Sequence, residues 1–456
     1  MHHLLGAQPH HALRHLAKKL GPILYLQLGE VSTIVISSPS YAKEIMKTHD
    51  LSFANRPKFL SVEILSYNYK DIAFAPYGDY WREMRKLSVL ELLSSKKVNS
   101  FQHIREQESW NLVESIAMHG SNPIDLTIKI FTMVNTITSR VSIGSKYKDQ
   151  ARFIALIKES VTLINGFDVS DLFPSMKTLH VITGIRKKLL RVHKDIDEIL
   201  DNIIYDAQRR RSGAQGKHAS EALIDVLLRL KDEDDGGQQF SLNYSNIKAL
   251  IIDMFVAGTD TSSVTIEWAL SELIKNPREM KKVQNEIRYA LKGKERIQES
   301  DIQELKYLKL VIRETLRLHP PLPFLLPREC REACEIGGYR IPLHAKIIIN
   351  VWKIGRDPDC WNDPDNFIPE RFSESSYDMD KIDFGHLPFG AGRRMCPGMS
   401  LGMANVELPL AVLLYHFNWD LPNGATSKDL DMSESFGAAV TRKNHLLLVP
   451  RPHNPK

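Results

Sequence analysis

The chain has 456 residues, 43% hydrophobic and 25% charged, with 60 Lys and Arg against 55 Asp and Glu. That describes a globular protein with a large core, and a charge of +5 over this length excludes the basic stripe of a nucleic-acid binder. Four cysteines, Cys330, Cys334, Cys360 and Cys396, are too few to staple the fold, which points to free thiols and a reducing compartment.

The opening stretch MHHLLGAQPHHALRHLAKKLG lacks the apolar centre of a signal peptide, and no apolar run approaches the ~18 residues that a bilayer requires. His11 and His15 stand four apart, as on one helix face. No third metal ligand lies near them in sequence, so they read as ordinary histidines. STIVISS reads as a strand, and EALIDVLLRL as a helix between two loops, RRRSGAQGK and KDEDDGGQQ. The run Arg209 to Arg211 reads as a solvated helix end.

SNIKALIIDMFVAG opens a long apolar helix with Gly258, Thr259, Asp260, Thr261, Ser262 and Ser263 near its middle. Glycine in a helix costs about 1 kcal/mol relative to alanine, and hydroxyls there bond back to carbonyls. The notch fits a packing kink or a functional gap equally well. VIRETLRLH reads as the next helix and AKIIINVW as a second strand. No repeat or low-complexity linker divides the chain. The pattern predicts a mainly α fold with a minor β region.

Near the end stands FGAGRRMCPG. Pro397 suits the first position of a helix, which places the sulfur of Cys396 at a helix N-terminus, where the dipole favours a thiolate. Gly390, Gly392 and Gly398 leave room for tight turns or a flat partner, and Arg394 supplies a positive fork. Together these suit a planar, dianionic cofactor whose metal takes the sulfur, such as haem.

Three other readings fit less well. A dinucleotide loop needs glycine where Met395 stands, a phosphatase-like loop needs arginine where Gly402 stands, and Cys330 with Cys334 and Cys396 makes only half a zinc site. A cysteine packed as a small hydrophobe leaves the glycines and arginines unexplained.

The spacing F-x-x-G-x-R-x-C-x-G, filled by Phe389, Gly392, Arg394, Cys396 and Gly398, resembles the haem-binding signature of the cytochrome P450 family of haem-thiolate monooxygenases. The likeness runs from about His10 to FGAAVTRKNHLLLVP. FANRP, AGTDTSS, ETLRLHPPLPFLLPREC and PFGAGRRMCPG place it near the plant A-type group and its sesquiterpene hydroxylases.

The resemblance implies a single P450 catalytic domain over residues 1–456, with haem b buried between the long oxygen-activation helix and the Cys-loop helix. Cys396 is then the axial metal ligand. Trp81 and Arg85 in WREMR, and Arg328 in LLPREC, join Arg394 as contacts to the haem propionates, and Thr261 with Asp260 serves oxygen activation. Glu314 and Arg317, linked to Arg371 in FIPERF, are a brace for the pocket. Electrons are expected from an NADPH-cytochrome P450 reductase, with cytochrome b5 as a further donor, on a face containing Arg82, Lys86 and Arg393.

The substrate is expected to be a hydrophobic small molecule, best a terpenoid, facing Phe255, Val256, Leu322 to Leu326 and Phe436 to Val440. Alkaloid and phenylpropanoid skeletons stay open, as does a haem-binding protein without turnover. Plant members begin with a membrane anchor and a proline-rich hinge, and this chain opens beyond both. It reads as a truncated form of a parent on the cytoplasmic face of the endoplasmic reticulum membrane.

Overall fold

A computed structural model describes residues 8–164, 169–176, 179–213, 221–233, 241–373, 384–437 and 439–453. Of the two loop readings, KDEDDGGQQ falls largely on 234–240, outside the described residues, whereas RRRSGAQGK is corrected over 209–213, which end a long helix, and only its remainder lies outside the described residues. Helices dominate, as the three- and four-residue spacing predicts. Those used below are α1 (Pro9–Leu20), α2 (Asp79–Leu87), α3 (Leu126–Ile143), α4 (Gln150–Leu163), α5 (Ile185–Gly213), α6 (Tyr244–Lys275), α7 (Lys306–Leu318) and α8 (Met399–His416). The strands used are β1 (Ile23–Leu28), β2 (Val31–Ile36), β3 (Arg328–Glu329), β4 (Lys346–Ile349), β5 (Glu434–Ser435) and β6 (Thr441–Arg442).

STIVISS and AKIIINVW do supply strands, and the two meet. β2 lies parallel to β4, with Ile34 opposite Ile347, in a sheet ordered β1-β2-β4-β3. Both outer pairings are antiparallel. Every residue of β4 is buried, so its apolar run is continuous instead of alternating.

α6 is the hub of the helical layer. It begins at a reciprocal cap, in which Asn243 Oδ1 accepts from Asn246 N at 3.2 Å and Asn246 Oδ1 from Asn243 N at 2.9 Å. Its 32 residues pack against α3, α7 and α8, with Leu250, Ile266, Leu270 and Leu273 fully buried. By length and composition it matches a membrane-crossing helix, contrary to the sequence expectation, yet most of its apolar stretch is enclosed by neighbours. Arg209 to Arg211 close α5. Arg210 donates to Ile143 O at 2.8 Å and Arg211 pairs with Asp232 at 2.9 Å, so the run is a helix end tied to its neighbours.

Candidate active site

All four cysteines are free thiols, and Cys396 lies between two local structures that its neighbours dictate. Upstream, Gly392–Arg394 forms a single 3-10 turn. Met395 N donates to Gly392 O and Cys396 N to Phe389 O, both at 3.0 Å. Gly392 has φ 70°, and a Cβ there overlaps Met46 O and Asp50 Oδ1. Gly392→Ala therefore adds left-handed strain to a backbone collision. Denaturant titration should show a loss of about 3 kcal/mol, and a loss under about 1 kcal/mol would mean that the loop yields without cost.

Downstream, α8 starts at Met399 with Gly398 as its cap, two residues later than a helix opening on Pro397. The first carbonyl to take a helical bond is that of Gly398, which accepts from Gly402 N at 2.8 Å. Pro397 instead shapes the turn into the helix. The thiolate expectation also needs correction. Burial pushes the Cys396 thiol up more than the Gly398 N-H and the Arg85 guanidinium pull it down, so the protein alone does not ionise the sulfur.

The residue is nevertheless exposed. α6 carries a similar mark, because Ala257 is exposed and Thr261 half-exposed while Phe255, Thr259 and Ser262 are buried. Thr261 Oγ1 donates to Ala257 O at 2.6 Å, Ser263 Oγ to Thr259 O at 2.9 Å and Thr265 Oγ1 to Thr261 O at 2.8 Å. These back-bonds leave α6 unbroken, so the notch is not a helix break. A Cβ on Gly258 would sit 3.5 Å from Thr138 of α3, an ordinary contact, so packing does not demand glycine there. Burial raises the pKa of Asp260, opposed by Lys158 of α4. No hydrogen bond joins Asp260 to Thr261 among the described residues.

Four arginines from distant segments converge near the loop. Arg56 Nε donates to Ala73 O at 2.9 Å and Nη1 to Leu326 O and Pro327 O at 2.8 and 2.7 Å. Arg328 donates to Asp50 Oδ1 at 2.9 Å and to Ala391 O at 2.7 Å. Arg394 donates through Nε to Ala54 O at 2.7 Å and through Nη2 to Ala75 O at 2.6 Å, over the ring of Trp81 at 4.3 Å. Its fork is thus not free, as the sequence suggested. Only Nη1 is lightly committed, at 3.4 Å from Ile72 O. Trp81 Nε1 is likewise spent on Ile72 O, at 3.1 Å. Arg85 of α2 is half-buried and electrostatically coupled to both Arg394 and Cys396.

Burial, and then the neighbouring Arg328, depress Arg394 to about 9. The carboxylates coupled to this group are Asp50 and Asp71, and burial lifts Asp71 to about 6. The cluster therefore holds surplus positive charge with little water to screen it, which a dianionic group satisfies. One sulfur donor beside a cradle for two carboxylates fits haem.

The brace is present in full. Arg317 Nε and Nη2 each donate to Glu314 at 2.7 Å, with both side chains wholly buried. Arg371 Nε adds a bond to Glu314 Oε1 at 2.9 Å, and Ile368 N another at 2.8 Å.

Of the expected pocket segments, Phe255 belongs elsewhere. It is 2% exposed and packs edge-on against Phe153 at 4.8 Å, so it is core, whereas Val256 is half-buried. The other two segments form one wall. The rings of Phe324 and Phe436 lie 5.9 Å apart, and Val440 N donates to Pro321 O at 2.9 Å. Ala438, in the second of those sequence segments, lies outside the described residues.

Sequence reasoning missed Arg56, which FANRP contains without marking its role. It also missed Asp71 and Asp253. The second is an acid within the apolar run that opens α6, and that was its signal. Asp253 Oδ2 accepts from Ile72 N at 2.8 Å, and burial followed by repulsion from Asp71 raises its pKa far above the carboxylate range.

A mainly helical fold in which a cysteine loop sits beside a cluster of largely buried arginines suits a haem-thiolate protein. The family model described as Cytochrome P450 matches residues 1–449. Germacrene A hydroxylase of Barnadesia spinosa is 56% identical over 451 residues, 99% of this chain and 89% of that protein. Premnaspirodiene oxygenase of Hyoscyamus muticus is 53% identical over 460 residues, covering 100% and 91%. Amorpha-4,11-diene 12-monooxygenase of Artemisia annua is 54% identical over 451 residues, covering 99% and 90%. A zebra fish cytochrome P450 solved with progesterone superposes with a TM-score of 0.83 at 24% identity, covering 98% of this chain and 100% of that one.

The chain belongs to the cytochrome P450 family. It is a haem-dependent monooxygenase, and membership implies a separate redox partner and a hydrophobic substrate.

Proposed function

We propose that this chain, as one catalytic domain, hydroxylates a sesquiterpene hydrocarbon, drawing electrons from an NADPH-dependent reductase at the endoplasmic reticulum membrane. The observation that carries this reading is the identity of 53–56% over almost the whole chain with enzymes named for oxidising germacrene A, premnaspirodiene and amorpha-4,11-diene. The half-buried side chains of Leu322, Phe324, Leu325, Leu326 and Phe436 support it, because an apolar wall favours a hydrocarbon over a charged metabolite.

In this reading Cys396 would supply the sulfur ligand, steadied by the Gly398 N-H, while Phe389 packs against the core. Arg85, Arg328 and Arg394, the last over Trp81, would hold the carboxylates chiefly by charge, since most donors of Arg328 and Arg394 are engaged by protein acceptors. Haem, when bound, supplies activation of dioxygen and insertion of one oxygen atom into the substrate. The remaining work is done by side chains. Thr261 Oγ1, resting on Ala257 O, holds a proton at the exposed notch, and Asp260, whose buried carboxyl keeps its proton closer to neutral pH, is the group that replenishes it. On the outer face Arg82, Lys86 and Arg393 are exposed, which suits an acidic reductase surface.

The test is turnover of these hydrocarbons by the holoprotein with reductase and NADPH, read as oxygenated product by mass spectrometry. Absence of product from all three would redirect the substrate assignment. In Thr261→Ala, NADPH consumption should continue while product per NADPH falls roughly tenfold or more. An unchanged yield would remove the proton-holding role.

A further inference from the structure

His11 does not find His15, its partner by spacing. The fold gives it other company. His10, fully buried, and His11, half-exposed, both turn from α1 toward Glu434 of β5, with Nε2 to Oε2 distances of 2.7 and 2.9 Å. His319, just beyond α7, presents Nδ1 at 3.6 Å from the other carboxylate oxygen of Glu434. That Nδ1 is buried and faces the carboxylate from just beyond ordinary hydrogen-bond distance, while the opposite nitrogen is held by Glu272 at 2.7 Å. The donor atoms of His10, His11 and Glu434 all lie within 4.8 Å of one another.

We propose that His10, His11 and Glu434, with His319 as the fourth donor, form a binding site for a divalent cation of the zinc type. Imidazole nitrogens with one carboxylate are a donor set that zinc accepts, and Glu272 behind His319 is the carboxylate-imidazole pair that commonly orients a zinc ligand. Tetrahedral zinc separates its donors by about 3.3 Å, so the 2.7 and 2.9 Å contacts of Glu434 would open by about 0.5 Å, while His319, at 3.6 Å, and any donor pair nearer the 4.8 Å bound would close. An entry path exists. The cluster opens on a surface cleft of about 560 Å³ lined by Gln8, His11, His319, Trp352, Arg356 and Glu434.

A bound cation would tie α1 to β5, two residues from Phe436, whose ring lies 5.9 Å from that of His10.

The experiment uses tag-free holoprotein in which His2 and His3 are replaced by alanine, titrated with zinc chloride against a fluorescent chelator. One zinc per chain with a micromolar or tighter dissociation constant is expected, together with a rise in melting temperature. His11→Ala, at a half-exposed site, and Glu434→Gln should each weaken binding by about tenfold or more, whereas His15→Ala should leave it unchanged. No saturable binding below about 100 μM, or full affinity in folded His11→Ala, overturns the site.

Discussion

Cys396→Ser folds, binds haem poorly, lacks the red-shifted Soret band of the reduced carbon monoxide complex and loses at least about 10³-fold in turnover, roughly 4 kcal/mol of barrier. This result is expected because the loop's geometry is set by backbone. The bond from Cys396 N to Phe389 O and the turn at Gly392 do not involve the side chain, so serine fits where cysteine was. The electronic consequence is different. Burial already raises the sulfur's pKa, and only the Gly398 N-H and Arg85 oppose it. A thiol in that setting ionises when a metal takes the electron pair, whereas an alcohol, many units less acidic, stays neutral. A melting curve within about 1 kcal/mol of the parent, measured beside the spectrum, separates loss of the ligand from loss of the fold. A red-shifted band retained in the serine protein would show that another residue provides the ligand atom.

Glu314→Ala should be harsher on the fold than any substitution at the cysteine. Arg317 would keep its bonds to the carbonyls of Pro364 and Asn366, and Arg371 its bond to Asn362 O, but neither would keep an anion. Removing one member of a buried, hydrogen-bonded ion network costs about 3–5 kcal/mol, against a total stability of about 5–15 kcal/mol for a folded protein. Ile368 N also loses its acceptor, which loosens the turn that carries Arg371. The expected outcome is little soluble holoprotein and a denaturation midpoint far below the parent's. Glu314→Gln, which keeps an oxygen for Ile368 N and Arg371, should fall between the two. Equal stability of the alanine variant would mean that the network contributes geometry and not stability.

What could be read from the chain beforehand was whatever is local. The cysteine loop, the Glu314/Arg317 pair three apart on α7 and the polar notch of α6 are each contained in one short segment, and spacing alone placed them. What could not be read was how side chains spend their donors across the chain. Arg394 looks free in FGAGRRMCPG, but its bonds go to Ala54 and Ala75, more than 300 residues earlier. Phe255 looks like pocket lining because α6 is apolar on every side, and only the packing of α4 shows that its ring faces Phe153. The start of α8 was misplaced by two residues because proline suits the turn before a helix as well as its first position. Nor could the contact of His11 with Glu434 be read, since a residue brought by β5 from more than 400 positions away leaves no trace in the spacing of α1.

The parallel pairing of β2 with β4 has a consequence for biosynthesis. Ile34 leaves the ribosome roughly 300 residues before its neighbour Ile347 exists. At about 5–20 residues per second, that strand waits some 15–60 s with one unsatisfied edge, so the hairpin it shares with β1 must be shielded by chaperones or remain fluid until translation is nearly over.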